Sequence, residues 1–368
     1  MAHVSVIIPS FNHGRYITDT LRSLERQTLR DFEVIVVDDG SDDDSRSVIR
    51  EFIARSGLDI TLVEQANAGA HAAIERGIRV GNGSHIAILN SDDLYDPGRL
   101  SAMMRRVPSS GPYLAFSEVD WMDEAGDSVP NHAANVWYRS ILSETAYDAG
   151  LGFTLLRGNI SISTSNFLFS RAMHELVGPF RRYVTVHDLD FALRCTARCE
   201  PIFVRQPLLR YRLHPKSTLV ANRDLEPKEV RQIFEDYVQV AASRPPQNPQ
   251  APGSRDLALF SSYFVYDRHH WFEPRTGDEP FRRLANELRT VPASSDAQAL
   301  RQEVARLSLQ LEHAAAEVSE SKVELATLRG QLDQHVSLLA SFHEDGLVQS
   351  HVEELTTALQ RLLALRSS

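Results

Sequence analysis

Cysteine is nearly missing from this 368-residue chain, which holds only Cys195 and Cys199. Two thiols cannot staple a chain of this size into a disulfide scaffold. Their i, i+4 spacing, without a second Cys or His pair, is not a metal-ligand pattern either. The expectation is chance burial on a helix, in a reducing compartment. Positive charge is also short: Lys and Arg number 39 against 49 Asp and Glu, a formal net charge of −10. That argues against non-specific nucleic-acid binding, which needs a basic surface. No apolar run reaches the roughly 18 uninterrupted residues that a membrane span requires. The first residues, Met-Ala-His, lead straight into a strand-like run, without the charged and apolar regions of a signal peptide. A cytoplasmic location is expected, peripheral at most to the inner face of a membrane.

Two nucleotide-binding signatures are missing as well. A dinucleotide fold needs G-x-G-x-x-G after its first strand, where this chain has PSFNHG from Pro9 to Gly14, and no Walker A lysine loop occurs. Bound phosphates would therefore need a cation rather than a glycine loop to neutralise them.

What is present is a run of βαβ units. An apolar fraction of 42% implies at least one real core. Val4 to Ile8 reads as a strand buried on both faces, and Val34 to Val37 as another. Helical spacing of Ile17, Leu21 and Leu24, then of Val48, Ile49, Phe52 and Ile53, separates them from a short strand at Ile60 to Val63. A helix over Ala70 to Val80 leads into the strand that begins at Ile86. Strands alternating with helices mean a parallel sheet, here of nucleotide-binding type over the first hundred residues.

Three strands finish in polar residues: Ser10 and Asn12, then Asp38 and Asp39, then Asp92 and Asp93. In open α/β sheets ligands bind outside the carboxyl ends of the strands. The stretch IAILNSDD, Ile86 to Asp93, ends in two adjacent carboxylates that repel each other. They suit a divalent cation or a ribose, because hard oxygen ligands match Mg2+ or Mn2+. The bland alternative is an N-cap for a helix over Pro97 to Val107. Pattern alone leaves the two evenly balanced.

The runs VIIPSFNHGRYITDTLRSLERQT, VIVVDDGSDDDS, NAGAHAAIERGI, IAILNSDDLYDPGRL, VHDLDFALR and LLRYRLHPKST, from Val6 to Thr218, resemble the family 2 glycosyltransferases of the GT-A fold. The resemblance implies a mixed, mainly parallel α/β sheet flanked by helices. It implies a nucleoside-diphosphate sugar donor, UDP- or dTDP-linked, with Asp39 on the base, Asp92 nearer the ribose and Asp93 on Mg2+ or Mn2+. Pro9, Ser10, Asn12, Asn67 and Arg212 are implied as further nucleotide-sugar contacts, and His214 as a second metal ligand. Arg210 and Lys216 are implied beside Arg212 as phosphate partners. Asp188 falls on the catalytic base, and its alternative role is to cap the helix that follows. Asp190 is expected to be a structural partner. The segment from Asn159 to Arg171 is expected to wall the acceptor side, with Trp121 and Trp137 as candidate sugar-stacking surfaces. Departures are His187 in place of glutamate before the base, Asn90 in place of aspartate, and Ile74-Glu75 in place of Arg-Asn. His187 beside the base would make activity fall as pH drops towards its pKa, or it is a plain surface residue.

Beyond residue 243 the character changes, giving expected regions of 1–243 (transferase domain), 244–295 (proline-rich linker and aromatic-rich helical segment) and 296–368 (coiled coil). PPQNPQAPGS, from Pro245 to Ser254, carries no apolar periodicity. The aromatic stretch from Phe260 to Phe272 packs on the domain or touches a membrane or lipid-linked acceptor. From Leu300 to Phe342 apolar residues recur in alternating steps of four and three, the seam of a coiled coil and a route to self-association. The expected function is an inverting, metal-dependent glycosyltransferase acting on a glycan or lipid-linked glycan acceptor in surface polysaccharide biosynthesis. The alternative is a degenerate, non-catalytic domain serving as a coiled-coil scaffold for a glycan-assembly complex.

Overall fold

The computed structural model describes residues 4–144, 150–215, 217–222 and 224–253. The heptad seam, the aromatic stretch and Lys216 lie outside the described residues. β1 (Val4–Ser10) is buried along its whole length, as its β-branched run requires. It lies between β2 (Phe32–Asp38) and β4 (His85–Ile88), parallel to both, while β3 (Ile60–Glu64) runs parallel along the far side of β2. The connecting helices are α1 (Gly14–Glu25), α2 (Ser45–Ile53) and α3 (Ala70–Val80), the last with the bounds its periodicity predicts. α1 buries Ile17, Leu21 and Leu24, the three residues whose spacing announces it.

The remainder is less regular. β5 (Leu94–Tyr95), α4 (Arg99–Met104) and β6 (Leu114–Met122) are followed by α5 (Ala133–Glu144) and α6 (Leu151–Arg157). Next come β7 (Leu168–Ser170), α7 (Arg171–Val177), α8 (His187–Thr196) and β8 (Ile202–Arg212). α9 (Thr218–Ala221) and α10 (Glu226–Ser243) complete the order. Among the described residues the strands form one eight-stranded sheet in the order β3-β2-β1-β4-β7-β6-β8-β5. The β6–β8 pairing is parallel and the β4–β7, β6–β7 and β5–β8 pairings are antiparallel, so the sheet is mixed and mainly parallel, as expected. Growth of the sheet changes side at β1, which has β2 on one edge and β4 on the other. In open α/β sheets ligands bind at such a switch point, between the loops that leave the strands.

Two local expectations are corrected. The helix sought over Pro97 to Val107 is confined to α4 and has Gly98 at its N-cap. Asp92 and Asp93 therefore cap nothing; Asp93 N closes a turn on Asn90 O at 3.2 Å instead. The first part of the proline-rich stretch is docked rather than free. Gln247 N donates to Ala197 O at 3.0 Å, and Asn248 Nδ2 to Thr196 O at 3.0 Å and Glu200 Oε2 at 2.8 Å. Cys195 is buried in α8, Cys199 lies just beyond it, and both are free thiols. Among the described residues no helix is long and apolar enough to cross a membrane.

α3 crosses β1 closely because Gly77 leaves room for Ile7. A Cβ at Gly77 would come within 2.3 Å of Ile7 Cγ2. Gly77→Ala should therefore lose about 1–3 kcal/mol by overpacking, despite alanine's better helix propensity. Urea unfolding measures this, and an unchanged midpoint would mean that the crossing is looser than drawn.

Candidate active site at the carboxyl ends of β1 and β4

The loops at the strand ends are tied to one another through short polar side chains. Asn12, just past β1, takes a left-handed φ of 55°, which asparagine tolerates better than most residues. Its N–H donates to Ser41 Oγ at 2.9 Å, and its Oδ1 accepts from Asp42 N at 2.9 Å. Pro9 and Ser10 are buried in β1, opposite Val37 and Asp38. Asp39 gathers the β3–α3 loop around itself. Its Oδ1 accepts from Gln65 Nε2 at 2.8 Å and Ala68 N at 2.9 Å, and its Oδ2 from Gly69 N at 2.8 Å. Asn67 is exposed on the same loop. Gly40 (φ 78°) lets the two loops meet, since a Cβ there would lie 2.8 Å from Asn67 N.

The two carboxylates after β4 point into different surroundings. Asp93 is only 1% exposed, with Oδ2 accepting from Ser165 Oγ at 2.6 Å and Oδ1 from Arg212 N at 2.9 Å. Burial, with the Asp92 charge alongside, pushes the Asp93 carboxyl well above the usual carboxylate range. Burial also acts to raise Asp92, but the hydrogen bond to His214 and the nearby His13 outweigh it and hold Asp92 below its ordinary value. His214 Nε2 lies 2.9 Å from Asp92 Oδ2, and His13 Nε2 lies 3.9 Å from the same oxygen. One ligand atom from each of His13, Asp92 and His214 falls within 4.8 Å of the other two. Asp93, expected on the metal, is not part of that cluster.

These residues fit a divalent cation. The donor set joins one carboxylate oxygen to two imidazole nitrogens. Two ligands about 2.1 Å from one ion stand roughly 3.0 Å apart when adjacent and about 4.2 Å apart when opposite. The 2.9 and 3.9 Å separations lie at or between those limits.

Arg212 is buried and fastens backbone. Its Nε donates to Asp92 O at 2.8 Å, its Nη1 to Glu124 O at 2.8 Å, and its guanidinium lies 5.0 Å over the Tyr16 ring. Arg210 Nη2 donates to Gly126 O at 2.6 Å. Trp121 is buried against Tyr138 and Tyr211, in the core rather than on a sugar-binding surface, while Trp137 is half-buried.

Asp188 occupies the first turn of α8, whose N-cap is Val186, so the capping alternative does not hold. Asn159 Nδ2 donates to Asp188 Oδ2 at 2.7 Å, and Ser161 Oγ donates to Asn159 Oδ1 at 2.5 Å. Burial raises the Asp188 carboxyl to about 6, against the lowering effect of the Leu189 N–H and the Asn159 amide. Burial pushes the Tyr211 hydroxyl well above its ordinary value, and the charges of Asp93, Asp92, Asp188 and Glu226 act in the same direction. His187 is not a plain surface residue. Burial drives its imidazole down to about 4, so it stays neutral near pH 7. Asp190 is structural as expected, bridging Arg194 at 2.8 Å and Arg181 at 3.3 Å. Sequence reasoning passed over His13, Asn159, Ser163 and Ser165 as individual site residues. Only the meeting of distant segments singles them out.

Residues 5–176 match the family model described as Glycosyl transferase family 2. The putative glycosyltransferase EpsH of Bacillus subtilis (strain 168) is 28% identical over 219 residues, which are 58% of this chain. The chain spans 62% of that curated relative's length. The crystal structure of S. aureus TarS 1–349 in complex with UDP has a TM-score of 0.52 at 17% identity, over 93% of each chain. The mannosyltransferase PcManGT from Pyrobaculum calidifontis, in complex with GDP-Man and Mn2+, has a TM-score of 0.52 at 18% identity, covering 92% of this chain and 86% of its own. At such identities the likeness is one of fold.

Burying Asp188 has a measurable consequence. A carboxyl raised from 3.8 to about 6 binds its proton more tightly in the folded state. Its ionisation thus removes stability as pH rises through that window. Asp188→Asn cannot ionise, and should exceed the parent's stability at pH 8 by about 1–3 kcal/mol, a gain that shrinks towards pH 4. Urea unfolding at the two pH values tests it, and equal stability at pH 8 would contradict the buried charge.

Proposed function

We propose that the chain, whose residues 5–176 match the Glycosyl transferase family 2 model, moves a sugar from a nucleoside-diphosphate sugar to an acceptor hydroxyl, with inversion. The observation that carries this reading is a pair of unlike carboxylate sites, one hydrogen-bonded to His214 at 2.9 Å and the other to Asn159 at 2.7 Å. Asp92 is held ionised beside His214, and Asp188 is buried with its carboxyl raised to about 6.

Asp39 would meet the donor's base, with its Oδ2 accepting the imide N–H of uracil or thymine beside the bond it already takes from Gly69 N. Ser10, Asn12 and Asn67 sit at the same strand ends, in keeping with a UDP- or dTDP-linked donor. Asp92 and His214 would hold Mg2+ or Mn2+, which when bound supplies positive charge to the departing diphosphate. Asp93, with both oxygens already accepting bonds inside the protein, is assigned to fixing the strand end behind Asp92.

Asp188 takes the proton of the acceptor hydroxyl as that oxygen bonds to the anomeric carbon. The bond from the carbon to the diphosphate oxygen breaks, and its electron pair leaves with the nucleoside diphosphate. A single base on the face opposite the leaving group makes this one in-line displacement, with no covalent intermediate. A carboxylate with a pKa of about 6 is largely ionised at pH 7 yet more basic than an ordinary aspartate. Asn159 orients the carboxylate by donating to Oδ2 at 2.7 Å. A glycan or lipid-linked glycan acceptor, a place in surface polysaccharide assembly, peripheral membrane contact and self-association through residues 296–368 complete the reading. These rest on the motif resemblance, the aromatic stretch and the heptad pattern.

A panel of sugar nucleotides with Mn2+ or Mg2+ tests it through release of nucleoside diphosphate. Asp188→Asn should lower turnover by about 10²–10⁴-fold while nucleotide binding persists. The base must be unprotonated, so the parent's rate should fall about tenfold per pH unit below roughly pH 6. Absence of release from every donor would point instead to the scaffold alternative.

A further inference from the structure

His13 was no part of the sequence-based site, yet it stands where a ligand would. It occupies the N-cap position of α1, immediately past the end of β1 and Asn12. Its Nδ1 lies 2.8 Å from Ser91 Oγ, and its Nε2 lies 3.9 Å from Asp92 Oδ2, outside hydrogen-bond range. In the tautomer that donates Nδ1–H to Ser91, Nε2 presents a lone pair on the side of Asp92 Oδ2, 3.9 Å away. Two acceptors facing each other repel unless a proton or a cation lies between them. A ring nitrogen donating to a neighbouring oxygen while the other is left free is also the arrangement that orients metal-bound histidines.

The ring is held in place on its other sides. His13 meets Tyr16 edge-on with centroids 5.8 Å apart and His214 with centroids 5.6 Å apart, and Tyr16 lies 5.0 Å from His214. The His214 side chain is fully buried and has one nitrogen on Asp92 and the other without a partner. Three rings and one carboxylate thus converge from the ends of β1, β4 and β8 and the first turn of α1.

We propose that His13 is a third protein ligand of the divalent cation, so that two imidazoles and one carboxylate select a first-row transition ion over Mg2+. The inference rests on the metal-dependent transfer proposed above and deepens its metal site. Mg2+ demands oxygen ligands in near-ideal octahedral geometry and keeps its waters, whereas nitrogen ligands favour transition ions.

The experiment uses the full chain and metal salts alone, without nucleotide. Calorimetric titration with MnCl2, CoCl2 and MgCl2 gives affinities, and electron spin-echo spectroscopy of bound Mn2+ reports coordinated imidazole nitrogen. The parent should bind Mn2+ and Co2+ at least tenfold more tightly than Mg2+ and show two nitrogen couplings. His13→Phe keeps the ring contacts and removes the donor; it should weaken Mn2+ by about tenfold or more and leave one coupling. His13→Asn provides the same comparison if the phenylalanine variant fails to fold. If the His13 variant matches the parent in affinity and couplings while His214→Ala loses Mn2+, His13 is no ligand and the metal site stands without it. If the parent binds no Mn2+, the metal-dependent reading and this inference fall together.

Discussion

Two adjacent carboxylates at the end of a buried strand are the constraint around which this fold is arranged. At about 5 Å and an effective dielectric of ~20, two such charges repel by roughly 3 kcal/mol. The structure separates their roles. Asp93 faces inward, capped by Ser165 Oγ and the Arg212 amide, and is driven towards its neutral form. Asp92 faces His214 and keeps its charge. The turn between them is pinned from α1, where the Thr20 hydroxyl lies 3.0 Å from Ser91 O and 2.9 Å from Asp93 O. The asymmetry that makes the pair usable is therefore built by three other elements, not by the pair itself.

A second buried charge holds the opposite wall. Arg99 is 1% exposed; its Nη1 donates to Ser117 Oγ at 2.8 Å and its Nη2 to Asn166 O at 2.7 Å, with its guanidinium 4.5 Å over the Tyr95 ring. Asn166 in turn donates to Ser117 O at 2.7 Å and Ser161 O at 3.1 Å. This network fixes the segment that delivers Ser165 to Asp93 and Asn159 to Asp188. Within it Ile162 sits at φ 67°, a costly conformation for a β-branched residue, on the order of 1–3 kcal/mol. The surrounding bonds over-determine the strain, and the kink separates the serines that serve β4 from the asparagine that serves α8.

The parallel half of the fold was legible because its physics is local. A run such as VSVII has no solvent-facing alternation to hide, and the period of α3 marks both its ends. The ends of β2 and β4 declared themselves through Asp38, Asp39, Asp92 and Asp93. The other half resisted because its register is not local. β6 carries Glu118 and Asp120, and its pairing with β8 slips on either side of Glu118. β5 is two residues long and exists only because β8 passes beside it. The helix after β5 was overextended because Pro97 at its expected start marks a turn, with Gly98 taking the cap. His13 and His214 meet by tertiary folding alone, and a lone histidine carries no mark of such a partner. For Arg212, motif position indicated phosphate; its Nε and Nη1 clamp backbone carbonyls, while its Nη2 is buried without a hydrogen-bond partner.

That clamp joins the two halves. The Arg212 amide reaches Asp93, its Nε the carbonyl of Asp92, and its Nη1 the carbonyl of Glu124, whose Oε1 accepts the Tyr16 hydroxyl at 2.9 Å. The end of β8, the end of β4, the start of α1 and the turn after β6 are thereby fixed at one point. His214, two residues further on, inherits its position from that junction, because Leu213 N is also held by Met122 O at 2.8 Å. The loops that would contact the base and ribose hang on the parallel strands, where regular backbone ladders carry them and the Asn12 and Asp39 side chains tie them together. Asp188 and His214 come from the half built on antiparallel and bulged pairings, where side-chain bonds supply the precision that regular ladders do not. A substitution that loosened Arg212 would thus separate His214 from Asp92 while leaving the loops around Asp39 intact.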